Sequence, residues 1–209
     1  MLPLKEKLAS RFDARVLEFD GHGSKSAIGH SFSVSSFVIQ LDTFIETLEG
    51  PVHVFGYSMG GFIALISAAR GNQSIKSITT LGTKLLWDRE IASKEVKNLN
   101  PETIKEKVPG FFESLERRHG GHWVDVLSRT SNFMQSLGSQ NPIKKELMND
   151  ISCRVQLLVG EKDQMVSQSE TSEVAGWIPG AKFEVLKGAE HPIERLDVTT
   201  LSEKIASFI

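Results

Sequence analysis

The stretch Val52-His53-Val54-Phe55-Gly56-Tyr57-Ser58-Met59-Gly60-Gly61 decides the fold. An apolar, β-branched run ends in Gly-x-Ser-x-Gly and feeds straight into an apolar, Ala-rich segment, Phe62 to Ala69. A strand that turns at once into a helix needs small residues on both sides of the turn, and Gly56 and Gly60 are expected to supply them. The serine at the apex is then forced into a strained backbone conformation with its hydroxyl above the sheet, a nucleophile elbow. Composition alone would produce the pentapeptide in roughly one chain in ten of this length. Its weight comes from its context, strand before and helix after, and from the order of the polar residues downstream.

Beyond Ser58, the strand-like run Val155-Gln156-Leu157-Leu158-Val159-Gly160 leads to Glu161-Lys162-Asp163. A second run, Lys182-Phe183-Glu184-Val185-Leu186, leads to Gly188-Ala189-Glu190-His191-Pro192. Each polar group thus falls just past the carboxyl end of a predicted strand, where open α/β sheets place their ligand sites. An unassisted serine hydroxyl is a poor nucleophile at neutral pH, so His191 would take its proton and return it to the leaving group. A carboxylate would hold the imidazole in the right tautomer. Both Glu161 and Asp163 are candidates for that role.

These residues resemble, essentially from end to end, an α/β-hydrolase of the esterase, thioesterase and carbon–carbon hydrolase group. Phe19-Asp20-Gly21-His22-Gly23-Ser24-Lys25-Ser26 is similar to that family's Asp-x-Pro-Gly-His-Gly-x-Ser loop, without its proline. The family pattern Gly-x-x-Asp selects Asp163, and the order Ser58, Asp163, His191 is the family's order. The resemblance implies a mostly parallel sheet flanked by helices. It implies acyl-enzyme cleavage of a small carboxylic ester or thioester, with the Met59 backbone N–H as one oxyanion donor. No metal or organic cofactor is expected. Two other readings stay open: a carbon–carbon hydrolase or lyase with the same triad, and a non-catalytic protein that binds a small apolar ligand.

The family's sheet begins with strands that precede Asp20, and a His-Gly-rich loop after the third completes its oxyanion hole. Here Met1-Leu2-Pro3-Leu4-Lys5 reads instead as the start of a helix, with Leu4, Leu8 and Phe12 on one face. Three ways out are a chain cut at its start, direct pairing of the strands ending at Asp20 and Tyr57, or a strand donated by another chain. An exposed edge of this kind also favours a homo-oligomer.

Alternation continues elsewhere. Residues 3–12 read as helix, 15–20 as strand, 35–48 as helix, 75–82 as strand and 198–209 as helix. Strand patterns vanish over 83–140, which the resemblance makes a helical cap inserted in a core of 1–82 and 141–209. Tyr57, Trp87, Phe111, Trp123 and Phe133 are the expected pocket residues, suited to an apolar substrate. His22 reads as a structural member of its loop, and His53 as a satisfied strand histidine. His119-Gly120-Gly121-His122 lacks the spacing of a metal pair and reads as a solvent-facing loop.

The 209 residues carry a formal net charge of −2, which gives no reason to expect nucleic acid or an anionic membrane as partner. A single cysteine, Cys153, excludes an internal disulfide and fits a reducing, cytoplasmic compartment; its place before a strand suggests a buried thiol.

Overall fold

Ile75–Leu81 and Arg154–Gly160 are buried along all but one residue each, the pattern of strands covered on both faces in a parallel sheet. The computed structural model, which describes residues 1–27, 29 and 31–209, builds the fold around them. The chain runs α1 (Leu2–Leu8), α2 (Val34–Glu46), β1 (Val52–Tyr57), α3 (Met59–Ala69) and β2 (Ile75–Leu81). Helices α4 (Arg89–Lys97), α5 (Pro101–Lys107), α6 (Pro109–His119), α7 (Trp123–Ser139) and α8 (Lys145–Asn149) come next. Then come β3 (Arg154–Gly160), α9 (Gln168–Ala175), β4 (Lys182–Leu186) and α10 (Val198–Phe208). The four strands form one all-parallel sheet in the order β1-β2-β3-β4, the α/β arrangement expected from the sequence. Among the described residues no helix is long and apolar enough to cross a membrane.

The backbone divides into two units, residues 1–16, 41–86 and 143–209, and residues 17–40 and 87–142. The first holds the sheet. Helix α3 is apolar nearly all round and buried from Gly61 to Ala69, packed against β1, β2 and α8. Its Ser67 is the polar exception, and the hydroxyl donates to Asp42 Oδ1, which also accepts from Asn72. Leu4 of α1 joins Leu81, Leu158, Ile193, Leu201 and Ile205 in one cluster, so the short first helix lies against α10.

The second unit is helical, apart from the loop around Gly21. Asp88 and Asn100 cap α4 and α5 by accepting from Ile91 N and Thr103 N, at 2.7 and 2.8 Å. Helices α4 and α7 touch at Gly138, where a Cβ would lie 2.7 Å from Asp88 O.

The strand expected at 15–20 does not form. Asp20 N–H donates to the Gln40 side chain, and just beyond the segment Gly21 N–H donates to Lys25 O and His22 N–H to Phe19 O. Among the described residues the sheet holds only the four strands named, and the expected direct pairing of 15–20 with β1 is not made. Helix α1 also ends at Leu8, four residues short of the expected boundary at Phe12.

His22 is half-buried, with its ring stacked on Phe32 at 4.5 Å. His119 is not the solvent-facing residue expected. Only 9% exposed, its Nδ1 accepts from Gly23 N–H at 3.1 Å, while its carbonyl accepts from Ser26 Oγ. Burial, followed by the nearby His119 and Arg129 charges, outweighs the bond to Asp20 and the Glu18 charge and lowers the His22 pKa from 6.5 to about 4. The unfolded chain therefore takes up this proton first. His22 contributes stability above about pH 6.5 that is lost as the pH falls toward 4.

This packing has two measurable consequences. A Cβ on Gly61 would collide with Thr83 Oγ1 and lie 2.9 Å from Gly56 O, whereas one on Gly60 meets nothing within 4 Å. In urea unfolding, Gly61→Ala should lose roughly 1–3 kcal/mol, and Gly60→Ala should lose nothing. Between pH 7 and pH 5 the parent should lose about 2 kcal/mol through His22, and His22→Gln should flatten that slope.

Candidate active site

Ser58 is the one described non-glycine residue with positive φ, at φ 50° and ψ −118°. The elbow forms because α3 must start directly against the strand it leaves. At Gly56 a Cβ would press on Gly61 Cα and lie 2.6 Å from Gly60 C, so Gly56 and Gly61 are the pair that permits the approach. Gly60, expected in that role, faces open space. Ser58 N–H donates to Leu81 O at 2.9 Å, and Ser58 O accepts from Thr83 Oγ1 at 3.1 Å and from Gly61 N–H at 3.1 Å. Met59 is the first residue of α3, a position whose N–H has no partner inside the helix and points outward from its amino end.

Asp163 and His191 come together after β3 and β4. His191 Nδ1 lies 2.8 Å from Asp163 Oδ2; the aspartate side chain is 1% exposed and the imidazole 21%. Asp163 Oδ1 accepts from Met165 N–H and Val166 N–H at 2.9 and 2.8 Å. Burial pushes the Asp163 pKa up, but the hydrogen bonds from His191, Val166 and Met165 and the His191 charge outweigh it and hold the carboxyl below 3.8. The carboxylate is thus ionised at neutral pH and aimed at one imidazole nitrogen. A bond from Ser58 Oγ to the other nitrogen is not among those of the described residues; such contacts often tighten only when substrate binds.

Glu161, the alternative acid, does not pair with the histidine. Its Oε2 accepts from Gly188 N–H at 2.7 Å and so ties down the loop that carries His191. Sequence reasoning also missed Gly82 and Thr83. Gly82 has φ +55°, and a Cβ there would stand 3.1 Å from Asp163 Oδ2 and 3.2 Å from His191 Nδ1. A glycine directly after β2 was the available signal. Buried Glu170 binds Lys84 at 2.6 Å and accepts from Leu85 N–H and Leu86 N–H, fastening the segment after β2 to the start of α9.

Of the expected pocket residues, Tyr57 lies beside His191, its hydroxyl donating to the His191 carbonyl at 3.0 Å. The other four belong to the second unit. Phe133 is buried and meets Phe37 edge-on, and Trp123 packs on Phe112 beside Ile104, Leu115 and Leu127. Trp87 is half-buried and Phe111 is 40% exposed. His53, expected to be satisfied, has Nδ1 2.8 Å from Ser77 Oγ. Cys153, expected buried, is half-buried, and burial raises the pKa of its thiol.

Known proteins resemble this chain in sequence and in fold. The monoacylglycerol lipase abhd6-B of Xenopus laevis is 24% identical over 213 residues, covering 85% of this chain and 61% of that protein. The pimeloyl-(acyl-carrier protein) methyl ester esterase of Chromobacterium violaceum is 29% identical over 114 residues, 54% of this chain and 43% of that one. The chain therefore spans less than two thirds of either relative. Among solved structures, a thermophilic esterase from Thermogutta terrifontis superposes with a TM-score of 0.74 at 20% identity, covering 98% of this chain and 82% of the esterase, a likeness of fold. The family model for the alpha/beta hydrolase fold matches residues 3–124, more than half of the chain, and the protein belongs to the α/β-hydrolase family.

Proposed function

We propose that this protein is a serine hydrolase that cleaves a small, apolar carboxylic ester or thioester through an acyl-enzyme. The observation that carries the proposal is the buried Asp163 carboxylate bonded to His191 Nδ1 at 2.8 Å, beside a serine held at an elbow. The ester-cleaving names of the lipase and esterase relatives support the same reading.

Asp163 keeps the Nδ1 proton in place, so His191 Nε2 is the basic nitrogen. That nitrogen takes the Ser58 proton as Oγ attacks the substrate carbonyl. The oxyanion that develops is met by Met59 N–H, a donor of the kind worth about 100- to 1000-fold in turnover. Collapse breaks the carbonyl–oxygen or carbonyl–sulfur bond, and His191 returns the proton to the departing alcohol or thiol. Water, activated by the same imidazole, then releases the acid and regenerates Ser58.

Intact-mass labelling with a fluorophosphonate should give one adduct on the parent and none on Ser58→Ala. A folded parent without an adduct would overturn the proposal. Asp163→Asn forces the imidazole into the wrong tautomer and should lower kcat on p-nitrophenyl acetate by about 1000- to 10,000-fold, with KM little changed.

A further inference from the structure

His191 is carried by a loop that leaves β4, at one edge of the sheet, and crosses toward Gly82 and Ser58, which come directly after β2 and β1. The near half of that loop is well fastened. Gly188 N–H donates to Glu161, and Ala189 O accepts from Lys162 N–H at 2.8 Å. Ala189 O also rests on Gly160, where a Cβ would come within 2.5 Å of it. The ties to the loop after β3 stop at Ala189, and Glu190 pairs with Arg195 farther along its own loop. The His191 main chain is held from the opposite edge of the sheet. Tyr57 Oη donates to the His191 carbonyl at 3.0 Å, with the two rings 5.5 Å apart and tilted by 42°.

Tyr57 is the last residue of β1 and is peptide-bonded to Ser58. One side chain therefore spans the gap between the nucleophile's own backbone and the backbone of its base. Core packing explains only part of this residue. The ring lies against the cluster of Leu81, Leu158 and Ile193, and phenylalanine would fill that place as well. The hydroxyl is what apolar packing does not require, and it donates to the main-chain carbonyl of the residue that carries the imidazole.

We propose that Tyr57 is a positioning residue for the hydrolysis, its hydroxyl holding the His191 main chain at working distance from Ser58 Oγ. The inference rests on the serine-hydrolase reading. Asp163 sets the orientation of the ring, and Tyr57 sets where its backbone stands. Without the hydroxyl the loop tip relaxes, and the productive Ser58–His191 geometry is occupied for less of the time. Displacements well below 1 Å matter in such contacts. Substrate binding is untouched, so the loss falls on kcat and on the rate of covalent labelling rather than on KM.

The test compares the parent with Tyr57→Phe, which keeps the ring and removes the hydroxyl, and with Tyr57→Leu, which removes both. Each protein is melted, and its rates are normalised to the folded fraction by circular dichroism. Tyr57→Phe should label with fluorophosphonate about 10-fold more slowly and show kcat on p-nitrophenyl acetate lower by the same factor, the consequence of one lost hydrogen bond. Its KM should stay within about twofold of the parent. Tyr57→Leu should be slower still. A labelled parent matched in normalised rate by Tyr57→Phe overturns the positioning role alone, as does a loss confined to KM. A folded parent that takes no label overturns the hydrolase reading, and this inference falls with it.

Discussion

The site depends on a row of backbone hydrogen bonds that extends the sheet's ladder past its carboxyl ends. Ser58 N–H reaches Leu81 O, Gly82 N–H reaches Leu158 O, and Glu161 N–H reaches Leu186 O, each at 2.9 Å. Each bond lies one step past the regular strand pairing, so the loops inherit the register of the strands. The positive φ of Ser58 carries a strain of about 1–3 kcal/mol. It persists because the serine's N–H and carbonyl are already committed to Leu81, Thr83 and Gly61. Relaxing the dihedral would break those bonds and leave polar groups unpaired above a buried sheet.

With the loops in register, one short acidic stretch serves three of them. Glu161 holds the histidine loop through Gly188, Asp163 holds His191 and its own turn, and Glu170 holds the segment after β2 through Leu85, Leu86 and Lys84. All three carboxylates bind backbone N–H groups. A carboxylate used in this way costs less to bury than one left to a single partner, because several donors share its charge. Asp163 shows the balance directly: burial alone would raise its pKa, and its donors hold it below the ordinary value.

The parts legible in the sequence were those encoded locally. The apolar runs at 75–81 and 154–160 announce buried strands, and Gly-x-Ser-x-Gly between strand and helix announces the elbow. What escaped depends on partners distant in the chain. Arg15 to Asp20 alternates like a strand, yet a strand exists only beside another, and no strand of the described sheet pairs with this segment. His119 looked exposed because its partner, Gly23, lies 96 residues away. Gly60 and Gly61 are indistinguishable on paper; the positions of Thr83 and Gly56 assign the close approach to the second. The choice between Glu161 and Asp163 rested on a family pattern, and the structure separates the two by which donor each carboxylate faces.

The spacing of the site residues from their strands has a geometric cause. Ser58 follows β1 directly, Asp163 lies three residues beyond β3, and His191 lies five beyond β4. Adjacent strands are about 4.8 Å apart, so β4 stands about 14 Å from β1 across the sheet. Five extended residues would reach at most about 17 Å, but this loop opens with a turn, Ala189 N–H donating to Leu186 O at 3.2 Å, so side chains complete the span. A residue directly after its strand needs no loop, and one on the far edge needs a longer one. The turn at its root accounts for one of its hydrogen bonds, and the histidine end needs others. The loop borrows them from its neighbours: Glu161 and Lys162 near its root, Asp163 at the imidazole and Tyr57 at the carbonyl. The order of the strands thus dictates both how far each group stands from its strand and how much outside support it requires.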